Sequence, residues 1–261
     1  MAESGNMRGA DKTPWKRITV EAAAIVASIL MAFAIDAWWE NRGLANDEIV
    51  SLELIRRDLG ESIEQLKSHA AYAERASLSA LNAYKALSRP GPYDREFIRN
   101  EMLQVNRVTL RIPKAAYTEL LSTGRLGVIE DRDLRDAIIR FYESIERTEL
   151  IIQNNNNVYL DDHIMSTYYR DGLVLAYTAM DVGNEVLNKG NELIAQRLGE
   201  DFVHLPDPFW GFPTDSPEWQ KLRSVLLSAA KIHALSETNA QSKIVDATAL
   251  KKSIDHWLDT R

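Results

Sequence analysis

The chain contains no cysteine, which excludes disulfide bonds, thiolate metal sites and a cysteine nucleophile. It also lacks the short motifs of common active sites, namely a glycine-rich phosphate loop, a Gly-x-Ser-x-Gly elbow and a His-Glu-x-x-His zinc motif. Acidic residues outnumber basic ones, and the net charge of -7 argues against nucleic acid as a partner, because phosphate binding needs a basic surface. We therefore expect neither an enzyme nor a bound cofactor.

Long hydrophobic runs are scarce, and the one exception lies near the N-terminus. Between Glu21 and Asp36 the chain has about fourteen uncharged residues, which correspond to roughly 21 Å of helix. A hydrocarbon core is about 30 Å thick, so the run alone is more typical of a core helix in a soluble protein. Both carboxylates would still be tolerated in a membrane, because they would lie toward its two interfaces rather than at its centre.

Aromatic and basic residues around this run favour a membrane anchor. Trp15 precedes the run and Trp38 and Trp39 follow it, about 34 Å away along a helix, which is the spacing of the aromatic belts of a bilayer. Basic residues are concentrated before the run, among them Lys16 and Arg17, and this bias predicts a cytoplasmic N-terminus. The predicted membrane-interface residues are Trp15, Lys16, Arg17, Glu21, Asp36, Trp38 and Trp39.

Two other interpretations of the same segment stay open. A basic stretch, an apolar stretch and Ala-Phe-Ala at 32–34 also fit a cleavable signal peptide, although Glu21 interrupts the apolar part. The segment could instead be a buried helix of a soluble protein. If it is an anchor, Ser28 and Ala32 share one side of it, and small residues there predict contact with another helix, in a second copy or in another membrane protein.

Three regions follow from these patterns. Residues 1–13 have no apolar periodicity and are expected to be a disordered cytoplasmic tail, too short for a domain of its own. Residues 14–42 are the expected transmembrane anchor, in the bacterial inner membrane. Residues 43–261 are the expected periplasmic domain, a helical bundle.

The bundle is predicted from apolar residues that recur at helical spacing. From Leu52 to Ala73 they recur every three or four residues, and the prolines of 88–94 then end the helix. Asp131 or Asp133 in the capping region and Ser216 before a proline predict the starts of two more long helices. The expected fold is all-α, with an N-terminal transmembrane helix that continues into an up-and-down bundle of long antiparallel helices.

Few residues suggest a metal-binding or catalytic site. The Asp-Asp-His triplet at 161–163 could join a divalent metal site or act as a general base, although lone clusters of this kind are usually surface groups. The glutamates of 143–149 resemble those of di-iron bundles, but the histidines that such sites require are missing. We expect this run to be a charged helix face paired with Arg140 and Arg147.

A polar seam follows Ile152, where the helical pattern next requires Asn155 or Asn156, then Tyr159 and Asp162. Exposure to water is the simplest explanation, because asparagine is mostly a surface residue. The alternative is a ligand pocket lined by Asn155, Tyr159 and Asp162.

Two blocks, residues 20–42 and 115–146, resemble a group of uncharacterised bacterial proteins that carry a short N-terminal anchor ending in a Trp-containing turn. The positions of the second block that carry the resemblance are Tyr117, Leu120, Gly124, Leu126, Ile129, Asp131, Leu134 and Tyr142. The resemblance implies a single-pass membrane protein of unknown biochemical role. It implies no catalytic residues.

The sequence therefore predicts a single-pass membrane protein with a structural or protein-interaction role. The lipid bilayer is its first expected partner, and a second copy or another membrane protein is the next. The alternative is an extracytoplasmic ligand sensor, built on the helical bundle, that signals through a membrane partner.

Overall fold

The computed structural model describes residues 15–90, 92–160, 189–190, 192–193, 196–197 and 208–260, with only the backbone described at 16–18, 40–41 and 208–209. This part of the chain is all-α, as predicted. The chain divides into two compact units, Met1–Ser51 and Leu52–Arg261. The described helices of eight or more residues are α1 Trp15–Leu87, α2 Arg95–Leu103, α3 Ala115–Ser122, α4 Arg132–Asn155 and α5 Pro217–Asp259.

In the second unit α1 and α5 lie antiparallel, and polar contacts between them show the direction. Arg56 pairs with Asp255 at 3.7 Å, and the Ser77 hydroxyl donates to the carbonyl of Ala230 at 2.9 Å. From the first contact to the second, the residue number rises along α1, from 56 to 77, and falls along α5, from 255 to 230. The prediction of long antiparallel helices is confirmed.

Two apolar clusters form the core of this unit. One joins α1 and α5 to α3 and α4, and the other joins the end of α1 and the start of α5 to α2. The predicted seam of α1 is buried from Leu52 to Ala73, with Ile63 partly buried. In α4 the apolar residues at helical spacing are buried as well, namely Leu134, Ile138, Phe141, Ile145 and Ile152.

Local signals in the sequence explain the helix ends. α1 ends at Leu87, before the prolines, and Gly124 takes the left-handed conformation just after α3, with φ of 69°. Asp131 begins α4, since its carboxylate accepts from the backbone N–H of Leu134 at 3.0 Å. Ser216 begins α5 as predicted, although its hydroxyl makes no capping hydrogen bond.

The start of α3 is capped from another helix. Its own N-cap residue, Lys114, supplies no side-chain hydrogen bond. Instead the carboxylate of Asp58, on α1, accepts from the backbone N–H of Ala116 at 3.0 Å. Asp58 is only 3% exposed, and a buried carboxylate is stabilised by the free N–H groups and the dipole of a helix N-terminus. This contact ties α3 to α1.

The sequence pattern predicts that α4 runs to about Arg170, and its end beyond residue 160 stays a prediction. The α-helix ends at Asn155 and continues as a wider, π-helical turn over 156–160. Residues 161–170 lie outside the described part of the chain.

Ala240 of α5 is fully buried, so leucine at this position would overpack the core. We predict that Ala240→Leu lowers the free energy of unfolding by about 1–3 kcal/mol. Urea denaturation of the full chain in detergent micelles, followed by far-UV circular dichroism, measures this loss. The matched control is Ala234→Leu, at an exposed position of the same helix, which should change stability by less than about 0.5 kcal/mol. Equal losses in both variants would contradict the observed packing of α5.

Candidate functional site

The first unit presents an apolar helix surface that is open to its surroundings. Every side chain from 19 to 39 in α1 is exposed. Among the described residues this helix alone is long and apolar enough to cross a membrane, and none of its most apolar stretch is buried. The large exposed apolar residues there are Val20, Ile25, Val26, Ile29, Leu30, Met31, Phe33 and Ile35. A contiguous apolar surface of this size marks a contact with lipid or with protein.

Tryptophans lie at both ends of this surface, where the sequence predicts the interfaces. Trp15, Trp38 and Trp39 are all exposed. The rings of Trp38 and Trp39 meet edge to face with their centroids 5.5 Å apart, and the guanidinium of Arg42 lies 5.4 Å from the Trp38 centroid. A cation over an indole ring is a contact suited to the headgroup region, which is both apolar and polar.

The charged interface residues are placed only in part. Glu21 and Asp36 are exposed, at either end of the uncharged run. The backbones of Lys16 and Arg17 belong to the first turn of α1, and their side chains lie outside the described part of the structure. The interface roles of all seven residues stay predictions.

The two hydroxyl groups of the exposed part of α1, residues 19–39, bond to the helix itself. Thr19 donates to the carbonyl of Trp15 at 2.9 Å, and Ser28 donates to the carbonyl of Ala24 at 2.8 Å. Such bonds leave no hydroxyl donor without a partner when the helix enters a hydrocarbon environment. Ser28 and Ala32 are both exposed, so their predicted contact with another helix stays a prediction.

The predicted pocket near the end of α4 is only partly described. Asn155 is half-buried, Tyr159 is exposed and Asp162 lies outside the described residues, so this pocket stays a prediction. Asn156, rather than Asn155, continues the buried seam. It is 3% exposed, and its amide donates to the carbonyl of Val108 at 2.8 Å. Asn156 therefore helps to hold in place the extended segment around Val108, which precedes α3.

The glutamates of 143–149 pair differently from the prediction. Glu146 and Glu149 contact the amine of Lys114 at 3.1 and 3.4 Å, rather than Arg140 and Arg147 of their own helix. The carboxylate of Glu149 also accepts from the backbone N–H of Ile112 at 2.8 Å. These groups line a cleft of about 380 Å³ in which the amine is already neutralised. We call it the lysine cleft.

A second cleft, of about 640 Å³, lies where α1 ends and α5 begins. We call it the terminal cleft. Arg223 lines it and donates to the carbonyls of Leu87, at 3.2 Å, and Thr214, at 3.5 Å. Tyr93 donates to the same Leu87 carbonyl at 3.1 Å. These polar groups therefore serve to hold the two helix ends together.

A third cleft, of about 360 Å³, is lined by one face of α1 and by residues 108–111. We call it the arginine cleft. Its α1 residues are Gln65, Ser68, His69, Tyr72 and Arg75, and Arg111 faces them from the extended segment. Among the described residues no carboxylate lines this cleft.

Two buried histidines lie between α1 and α5. Nε2 of His69 is 2.8 Å from the hydroxyl of Ser236, and one ring nitrogen of each histidine, Nδ1 of His69 and Nε2 of His233, has no hydrogen-bond partner. Burial lowers the pKa of His69, and burial together with the neighbouring His69 lowers the pKa of His233 to about 4. Both rings are therefore neutral at pH 7.

Within the described residues no group of three or more histidines, aspartates or glutamates is placed to hold a metal ion. The Asp-Asp-His triplet at 161–163 lies outside those residues.

Comparison of the chain with protein-family models, curated proteins and solved structures finds no match in any of the three. The predicted resemblance to bacterial anchored proteins stays a prediction. The residues that carry it have structural roles in this fold: Tyr117 and Tyr142 stack with centroids 4.4 Å apart, Gly124 follows α3 and Asp131 caps α4. Packing and helix capping account for these four positions.

Proposed function

We propose that this chain is a single-pass membrane protein whose helical bundle is a structural or protein-interaction component outside the cytoplasm. One observation carries the proposal: the helix surface between Glu21 and Asp36 is apolar and exposed on every side. At about 100° per residue, Ile25, Val26 and Met31 point in three well-separated directions. A helix that is apolar all round requires an apolar solvent on all sides, which a bilayer supplies and a single partner helix does not.

The proposed orientation has the N-terminus in the cytoplasm and the bundle in the periplasm of a bacterial cell. Four basic residues support it, because Arg8, Lys12, Lys16 and Arg17 precede the apolar run whereas Arg42 alone closely follows it. Segments rich in lysine and arginine stay on the cytoplasmic side of a membrane.

Two exposed leucines of α1 give a matched test of membrane insertion. Leu30 is 62% exposed in the apolar stretch, and Leu78 is 53% exposed on the bundle. We predict that Leu30→Arg strongly reduces the fraction of the chain that stays in membranes after a carbonate wash, because arginine is costly at the centre of a span. Leu78→Arg should leave that fraction unchanged. Equal retention of the two variants would refute the anchor.

The arginine cleft favours a second function, the sensing of a small ligand by the bundle. Its volume of about 360 Å³ falls in the range of small-molecule sites, and its polar side chains converge from two segments. Thermal unfolding of the full chain in micelles, in the presence of a panel of neutral, cationic and anionic metabolites, tests this function. A ligand that binds only the folded state raises the melting temperature.

A further inference from the structure

We propose that the arginine cleft binds a small oxyanion, which is a ligand with a carboxylate or phosphate group held between Arg75 and Arg111. This proposal rests on the second function above, ligand sensing, and does not depend on the membrane anchor. It names the chemical class of the ligand and the residues that bind it.

Each of the two walls of the arginine cleft carries a cationic side chain, Arg75 on α1 and Arg111 on the facing segment. Gln65, Ser68, His69, Tyr72 and Arg75 follow helical spacing, so they share one face of α1. The opposite wall is the extended stretch 108–111. Asn156, which directly follows α4, donates to the carbonyl of Val108, and the Tyr72 hydroxyl donates to the carbonyl of Asn106, just before this stretch. The walls are therefore fixed by contacts other than those a ligand would use.

Charge is the first argument for an anion. The chain as a whole carries a net charge of -7, yet the described residues that line the arginine cleft include two guanidinium groups and no carboxylate. Arg111 lines the lysine cleft as well, where the nearest carboxylates pair with Lys114. In the part of the chain that the structure describes, neither Arg75 nor Arg111 forms an ion pair. Guanidinium groups present paired N–H donors that match the two oxygens of a carboxylate or phosphate.

Hydrogen-bond donors are the second argument. The side chains of Gln65, Ser68 and Thr109 line the cleft, and among the described residues none of them has a hydrogen-bond partner. Each can donate to an oxygen of the ligand. Together with the guanidiniums they supply enough donors for an anion that carries several oxygens.

The buried ring of His69 is also part of the lining of the arginine cleft. Its side chain is 5% exposed, Nε2 contacts the Ser236 hydroxyl, and Nδ1 has no partner. When the serine donates to Nε2, the hydrogen of the neutral ring resides on Nδ1. That N–H is then a buried donor without an acceptor among the described residues, which is costly.

The two other clefts lack this combination. The lysine cleft is also lined by Arg107 and Arg111, but it contains two carboxylates, and these carboxylates, Glu146 and Glu149, already pair with Lys114. In the terminal cleft, Arg223 donates to backbone carbonyls. The arginine cleft is therefore the best anion site among the three.

Isothermal titration of the full chain in neutral-detergent micelles tests the proposal. The probes are sodium phosphate and sodium succinate, each against sodium chloride at equal ionic strength. We expect at least one oxyanion to bind with one site per chain. Arg75→Gln and Arg111→Gln should each weaken binding by about 10-fold to 100-fold, the loss typical of one charge-assisted hydrogen bond.

The matched control is Arg140→Gln, which removes an exposed arginine of α4 that lines none of the three clefts, and it should bind as tightly as the original chain. Equal weakening by all three variants would overturn the site, because it would indicate attraction by general surface charge. Absence of binding by both oxyanions would overturn it as well. If a neutral or cationic metabolite raises the melting temperature while both oxyanions fail, ligand sensing stands and the oxyanion class is wrong.

Discussion

Trp219→Ala is expected to lower the free energy of unfolding by about 3–5 kcal/mol, the largest loss we predict for a single substitution in this chain. Trp219 is 1% exposed and lies between two aromatic rings, with centroid distances of 5.0 Å to Tyr93 and 5.3 Å to Trp210. Its indole N–H donates to the carbonyl of Phe212 at 3.1 Å. The substitution would empty this site and release the segment before α5.

Urea denaturation of the full chain in micelles, followed by far-UV circular dichroism, measures the effect. Trp38→Ala is the matched control, since Trp38 is exposed in the first unit. We expect that control to change the free energy of unfolding by less than about 0.5 kcal/mol. A loss below about 1 kcal/mol for Trp219→Ala would contradict the packing of the Trp210 segment against the bundle.

Acidification is expected to destabilise the bundle by about 3 kcal/mol through His233 alone, as the pH falls from 6.5 to 4. Burial, and secondarily the neighbouring His69, lower the pKa of His233 from 6.5 to about 4 in the folded state. Between these two values the unfolded chain binds more protons than the folded one. Stability is therefore complete above pH 6.5 and is lost as the pH falls toward 4.

His69 acts in the same direction, because burial lowers its pKa too. The measurement is the free energy of unfolding as a function of pH for the original chain and for His233→Leu. We expect the variant to have a slope smaller by up to about 1.4 kcal/mol per pH unit over this range. An unchanged slope in His233→Leu would show that the buried ring is not the acid-sensitive group.

Much of the helical architecture could be predicted from the sequence, because its signals are local. Apolar spacing predicts which face of α1 and α4 is buried, and this rests on residues within a few turns of one another. The ends of the helices follow from single residues such as Asp131, Gly124 and Pro217, whose backbone preferences act where they occur.

The sites could not be predicted in the same way, because they join residues far apart in the chain. Asp58 caps α3, and Glu149 of α4 accepts from the backbone of Ile112. Both carboxylates resemble ordinary charged residues of a helix when only their neighbours are considered. The arginine cleft likewise joins α1 to residues 108–111, a segment without regular structure. The one available signal was His69, a polar residue next to the apolar seam at Leu66 and Ala70.

The choice between Asn155 and Asn156 shows where spacing fails. A strict 3.6-residue repeat permits either residue. A π-helical turn begins at residue 156, and Asn156 is the residue that is buried. A change of helix type is a tertiary effect that periodicity alone does not contain.

The most direct test of the membrane anchor is a fractionation of bacterial cells that express the full chain. Membranes are washed with carbonate, the retained protein is weighed by intact mass spectrometry, and protease is added from the periplasmic side. We predict an uncut chain that stays in the membrane and is digested beyond residue 42. A soluble product beginning near Ile35 would show a cleaved signal peptide, and a soluble chain of full length would show a buried helix. Either result would contradict the anchor.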